Sequence, residues 1–284
     1  MAKKDKLLVC TFSGGRTSAF MGLFLKEHPK YKDYEKVFIY ANTGKELPKT
    51  LEFIDRCDKE WDLNIVWIEA KINKEKGVGT DFKLVDFKIA SRNGEPFEQM
   101  LQAYPIPTSY ASNCTRELKQ VPIDKFVKSL GYNEVIKAMG IRFDERHRES
   151  NTAKQQGIIY PLIYDVQVDS SFIRNWWDRQ CFDLEIKDYE GNCDLCFKKS
   201  LRKRMTLIKE DSKIADWWVK MEEKYATDKL PRFDLRNHIT VEQIIEKAKQ
   251  PFNMVKDKHE LEKQQGSLFD VEMDYETDCF CKAN

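Results

Sequence analysis

The sequence predicts an α/β fold, a doubly wound and mostly parallel sheet with a helical C-terminal extension, and three observations carry that expectation. First, the apolar run from Lys6 to Phe12 reads as a buried strand, stops at Ser13-Gly14-Gly15, and gives way to helical apolar spacing from Thr17 to Lys26. Second, the unit repeats. Lys36 to Asn42 reads as a strand, Thr43-Gly44 as a turn, and Pro48 to Trp61 as a helix with Leu51, Ile54 and Cys57 on one face. Third, the rhythm continues with a strand from Asn64 to Glu69 and resumes with a helix from Arg116 to Leu130 and a strand from Glu134 to Met139. Ligands of such sheets sit beyond the carboxyl ends of the strands, where the turns at Ser13, Thr43 and Gly140 fall.

Residues 71–113 lose this periodicity. They carry Gly77, Gly79 and Gly94 and prolines at 96, 105 and 107, so an insertion or lid is expected there. A helix is expected from about Ser170 to Arg179, then a turn at Gly191-Asn192-Cys193-Asp194-Leu195-Cys196. The division is an α/β body over 1–200 and a charged helical extension and tail over 201–284, with Trp217 and Trp218 anchoring the extension.

The chain of 284 residues is 41% hydrophobic, enough for one sizeable core and a smaller appendage. Lys and Arg number 48 against 47 for Asp and Glu, so no global charge draws it to nucleic acid or membrane, and any anion site must be local. Leu7-Leu8-Val9 is too short for a signal-peptide core or a membrane span, which makes a cytoplasmic protein the expectation. Eight cysteines in that setting read as reduced thiols, metal ligands or catalytic groups rather than a disulfide framework.

The loop Ser13-Gly14-Gly15-Arg16-Thr17-Ser18 has the chemistry of an anion site. Glycines let the backbone approach phosphate oxygens, the helix start supplies N–H groups, and the hydroxyls and Arg16 add donors. It lacks the Gly-Lys-Ser/Thr ending of a Walker loop. A second polar loop, Gly140 to Arg148, offers Arg142, Arg146 and Arg148 as planar forks for phosphate or sulfate, with Asp144 placed to position Arg142 or a metal and His147 inside the same loop. Cys193 and Cys196, with Cys114 earlier in the chain, are soft donors that suit an iron–sulfur cluster or zinc; buried plain thiols are the third reading. Cys10 and Cys57 lie on apolar faces and read as core. The basic run Lys198-Lys199 and Arg202-Lys203-Arg204 reads as a solvated helix face or a hold for an acidic or nucleic-acid partner.

The glycine loop resembles that of the PP-loop superfamily, Ser-Gly-Gly-x-Asp-Ser, with Thr17 in the place of the aspartate. Further blocks resemble the phosphoadenosine phosphosulfate (PAPS) reductase family in its order: Ala41 to Glu46 with its Asn-Thr-Gly, Asn113-Cys114 to Lys119 with Pro122, Gly140-Ile141-Arg142-Phe143-Asp144-Glu145 with Arg148, Tyr160-Pro161-Leu162, and the Cys-x-x-Cys turn. The resemblance covers roughly 6–200. It implies an adenine nucleotide, either ATP or PAPS/APS, held by Ser13 to Ser18, Asn42, Thr43, Gly44, Gly140, Arg142 and Arg148, with Mg a companion of ATP. It also implies a 4Fe-4S cluster on Cys114, Cys193 and Cys196, with Cys181 as a fourth ligand or an open iron, and zinc as the alternative. The C-terminal Cys279 and Cys281 stand where the family carries a nucleophilic thiol, and Cys281, Arg142 and Asp144 are the candidate catalytic groups.

Three functions stay open: a PAPS reductase-like enzyme in sulfur reduction or transfer, an ATP pyrophosphatase that activates a substrate such as nucleic acid for thiolation, and a non-catalytic nucleotide or nucleic-acid binding module. The expected partners are a nucleotide substrate and a thiol or sulfur donor. No membrane partner is expected, and self-association is left open.

Overall fold

A computed structural model describes residues 6–73, 75, 78–191 and 193–257. Its strands in chain order are β1 (Lys6–Thr11), β2 (Glu35–Asn42), β3 (Val66–Ile72), β4 (Thr80–Val85), β5 (Glu134–Ala138) and β6 (Ile158–Ile159). They form one sheet in the order β4-β3-β2-β1-β5-β6, parallel throughout except where β4 returns antiparallel on β3. The chain moves outward from β1 through β2 and β3, then comes back to place β5 on the other side of β1. The crevice at that reversal, between the carboxyl ends of β1 and β5, is where such sheets hold ligands.

Alternation along β1 explains the two covered faces. Leu8 and Cys10 point to a cluster with α1 (Arg16–Glu27) and α2 (Pro48–Trp61), including Met21, Leu51, Phe53, Ile54 and Trp61. Leu7 and Val9 point the other way, onto Ile39, Ala41 and Ile68 and onto Ile123, Phe126 and Val127 of a later helix. A central parallel strand buried on both faces reads as an unbroken apolar run, which is how Leu7 to Cys10 reads. Val9 lies level with Val37 of β2 and Lys137 of β5.

Residues 71–113 differ from the expected insertion or lid. They contain the end of β3, the edge strand β4 and α3 (Glu95–Ala103). Phe97, Met100 and Leu101 of α3 are buried, so this stretch is part of the body. An edge strand with one covered face shows little apolar periodicity, and a nine-residue helix flanked by Gly94 and Pro105 resembles loop composition. Next come α4 (Asn113–Thr115), a π-turn at Arg116–Gln120 and α5 (Val121–Ser129), so the expected Arg116–Leu130 helix is a composite.

The chain continues through α6 (Pro161–Tyr164) and α7 (Ser170–Asp178) to α8 (Leu201–Glu210), α9 (Asp216–Tyr225) and α10 (Val241–Lys249). The last three share a hydrophobic cluster with α3, Leu118 and the cysteine turn. Leu207, Ile208, Trp218, Met221, Phe233 and Ile244 pack there with Phe97, Cys193, Leu195 and Phe197. Trp218 is fully buried and Trp217 packs on the same cluster, as anchors do. Among the described residues no helix is long and apolar enough to cross a membrane.

Arg204 and Asp234 form an ion pair inside this cluster, with side chains 3% and 4% exposed. Burial pushes the Asp234 carboxyl up, but hydrogen bonds from Arg204 and Asn237 outweigh it and hold the group below the usual carboxylate range. Asp234→Ala leaves the guanidinium buried without its partner, and the expected loss of unfolding free energy in urea is about 3–5 kcal/mol. Because the folded-state pKa is depressed, the wild-type advantage over the variant is present above the ordinary carboxylate pKa and falls as pH drops through the folded-state value.

Candidate functional site

β1 hands over to α1 through a turn that only glycine fits at its second position. Gly14 has φ +79°, and a Cβ there would stand 2.6 Å from Thr50 Cγ2 and 3.1 Å from Ile54 Cδ1 of α2. Gly15 caps α1 in an extended conformation, where a Cβ would meet only Ser13 Oγ, at 3.9 Å, and no side chain caps the helix. The first-turn N–H groups of α1 therefore stand without a protein cap at a cleft lined by Gly15, Arg16, Thr17 and Ser18. The Ser18 hydroxyl is committed elsewhere. It accepts from Ser13 N (3.1 Å) and Ser13 Oγ (3.0 Å) and donates to Gly15 O (2.8 Å), so it clips the loop shut instead of reaching outward.

The opposite wall follows β5. Arg142 lays Nε and Nη2 side-on to Asp144 (2.9 and 3.0 Å), while Nη1 donates to Thr17 Oγ1 at 3.2 Å and pairs with Glu145 at 3.4 Å. Asp144 is held below the usual carboxylate range by the Arg142 hydrogen bonds. It is therefore ionised at neutral pH and orients Arg142 across the cleft. Thr17, at the position of the superfamily's aspartate, accepts from this arginine. Arg148 is paired with Glu145, and Gly140 lies in ordinary contact with Met21 and Ser18. Arg146 and His147 are exposed in the same 3₁₀ turns, Phe143–Arg148, and do not line the cleft.

Residues beyond β6 supply a third wall. Arg16 makes a side-on pair with Asp183 (2.7 and 2.6 Å), and Trp177 Nε1 donates to Arg16 O at 3.1 Å. Arg174, Lys187 and Lys203 also line this cleft of about 760 Å³.

Asn42, Thr43 and Gly44 do not join it. They follow β2, which lies on the side of β1 away from β5, and they are buried. Asn42 Nδ2 donates to Glu69 (2.6 Å) and to Ser91 O (2.8 Å), and Thr43 donates from N (3.0 Å) and Oγ1 (2.8 Å) to Glu46. The segment serves instead as the seat of the cysteine turn. Glu46 bridges Cys193, Asp194 N donates to Lys45 O (2.8 Å), and Lys45 pairs with Asp194 at 2.8 Å.

Cys114, Cys193 and Cys196 share one neighbourhood, as free thiols. Cys193 Sγ is 3.6 Å from Thr43 Oγ1. Burial, with Cys196 adding, raises the Cys114 pKa; burial and Glu46 raise that of Cys193. Lys199 holds the turn by donating to the carbonyls of Glu190, Gly191 and Cys193 (2.8, 2.6 and 2.7 Å). The donor chemistry suits a soft metal, but among the described residues no three His, Cys, Asp or Glu side chains converge on a point where one could bind. Cys181 is exposed and is not among the free thiols, so its sulfur is not a fourth thiolate for this group. Cys279 and Cys281 lie outside the described residues.

A doubly wound sheet with an uncapped glycine turn and an arginine loop at its reversal defines a nucleotide-binding α/β protein of the PP-loop kind. The phosphoadenosine phosphosulfate reductase domain matches residues 7–157, and the chain belongs to that family. It is also similar to an uncharacterized nin region protein, ORF290, of Escherichia phage lambda, at 34% identity over 199 residues covering 69% of this chain and 67% of the relative.

Sequence reasoning missed Arg174, Trp177, Asp183 and Lys187 and read Lys203 only as a member of the basic run; all five lie beyond the matched segment. Arg174 and Trp177 were visible as i, i+3 neighbours on a predicted helix; Asp183 and Lys187 carry no local signal. For the loop, Gly14→Ala forces both a left-handed alanine and a clash with Thr50, with an expected loss of about 1–3 kcal/mol in denaturant unfolding. Gly15→Ala, whose Cβ would make only an ordinary contact with Ser13 Oγ, is expected to change stability by much less.

Proposed function

We propose that this chain is an enzyme that binds an adenylyl nucleotide in the cleft between Ser13–Ser18 and Gly140–Arg148 and acts on it in sulfur reduction or transfer. The single observation that carries the reading is the meeting, at the sheet's reversal, of the uncapped first turn of α1 with Arg142 already oriented by Asp144. A phosphate or sulfate at the helix start would accept first-turn N–H groups while Arg142 offsets charge that develops as a bond to the anion breaks. Asp144 holds the guanidinium in place, and the PAPS or APS sulfur would pass to a thiol.

A second reading, ATP pyrophosphatase chemistry with a magnesium ion accompanying ATP, is favoured by the state of the cysteines. Cys114 and Cys193 are held as thiols by burial and are poor nucleophiles in that form. The AMP moiety would then activate a substrate, nucleic acid included, for sulfur insertion. A non-catalytic binding module is the third reading, kept by Thr17 in place of aspartate. A soft-metal centre at Cys114, Cys193 and Cys196 is supported by three neighbouring sulfurs. Among the described residues those sulfurs do not converge on one point.

The experiment is anaerobic purification, analysis for iron, sulfide and zinc, and incubation with ATP or with PAPS plus a thiol. Sulfite from PAPS supports the first reading, and pyrophosphate from ATP the second. Absence of nucleotide binding by calorimetry sinks both. Gly15→Asp places a carboxylate at the α1 start without a steric clash at Cβ, where aspartate is a good cap, so stability is expected to hold while nucleotide affinity falls at least tenfold.

A further inference from the structure

The basic run at 198–204 dissolves into separate duties in the structure. Lys198 donates to Thr115 Oγ1 (3.3 Å), Lys199 clamps the cysteine turn, Arg204 is buried against Asp234, and Arg202 faces solvent. Lys203 alone of the run lines the cleft.

The cleft's other cations already have carboxylates: Arg16 with Asp183, Arg142 with Asp144, Arg148 with Glu145, Arg174 with Asp188 and Lys187 with Glu210. Among the described residues no carboxylate pairs with Lys203, although its side chain is half-buried. A lysine that lines the cleft without a carboxylate of its own is free to pair with an anion bound there. The backbone around it is settled, because Lys203 sits in the first turn of α8 and its N–H donates to the capping Ser200 Oγ at 3.3 Å.

We infer that Lys203 forms a second anion subsite, which takes a phosphoryl group of the nucleotide other than the one at the start of α1. The ligand class is therefore a nucleotide with two separated anionic groups. The second could be the β or γ group of a 5′-polyphosphate or a phosphate on the ribose; both present the same phosphoryl oxygens to an ammonium. Lys203 lies outside the matched segment 7–157, so the subsite is a specificity feature added to the nucleotide floor. The inference rests on the nucleotide reading above.

The test is calorimetry on the full chain at fixed ionic strength with AMP, ATP and adenosine 3′,5′-bisphosphate, comparing wild type with Lys203→Ala, Lys203→Arg and the exposed control Lys209→Ala. Lys203→Ala is expected to weaken ATP, the bisphosphate or both by roughly ten- to a hundred-fold while leaving AMP within about twofold. Lys203→Arg should restore most of that loss, and Lys209→Ala should match wild type. Loss confined to ATP assigns the subsite to the polyphosphate; loss confined to the bisphosphate assigns it to the ribose phosphate. Equal loss for AMP, or no loss for either larger ligand, overturns the inference. If wild type binds none of the three, the nucleotide reading fails; pyrophosphate alone is then the probe, and binding unchanged in Lys203→Ala overturns the subsite as well.

Discussion

The close approach of Gly14 to α2 is the constraint on which the cleft depends. With Thr50 and Ile54 pressed against the place where a side chain would be, the chain turns between β1 and α1 in the left-handed region, and α1 starts at the sheet's reversal. Ser18 then ties the loop from inside, using the hydroxyl that a reading of donors alone would spend on ligand. The open N–H groups at the helix start are a product of that packing. No charged residue creates them; the arginines only add to a field the backbone has set up.

The cysteine turn meets the cleft at Gly191 and packs on the segment after β2 at Cys193. Segments after β1 and β5 face one another, whereas the segment after β2 is folded under α3 and the cysteine turn. Asn42 to Gly44, a good match to a family block, are held there by protein partners: Asn42 is fixed by Glu69 and Ser91, and Thr43 by Glu46. A motif reports that a backbone shape is needed, and the shape can be needed to seat a neighbour as readily as to touch a ligand.

The sheet was legible in the sequence because its central strands are buried on both faces and its glycine turns punctuate them. The strand from Lys36 to Asn42 and the helix from Pro48 to Trp61 were readable for that reason. β4 and α3 were not, since an edge strand half-exposed to solvent and a short helix between Gly94 and Pro105 leave weak periodic signals. The glycine and arginine loops were legible as candidates, but the carboxylate that meets Arg16 lies 167 residues away, and pairings of that range leave no trace in spacing. The basic run at 198–204 misled in the other direction: its charge suggested one surface, and the fold sends its members to different places.

Trp177 has a wider meaning than its hydrogen bond to Arg16 O. Its ring lies at the core against Phe53, Trp61 and Phe182, so the indole ties a main-chain atom of the glycine loop to a helix outside the matched domain. Residues 7–157 cut out by themselves would keep the glycine loop's sequence and lose the groove into which its backbone is braced. α7 is thereby braced against the backbone of Arg16 although it lies outside residues 7–157.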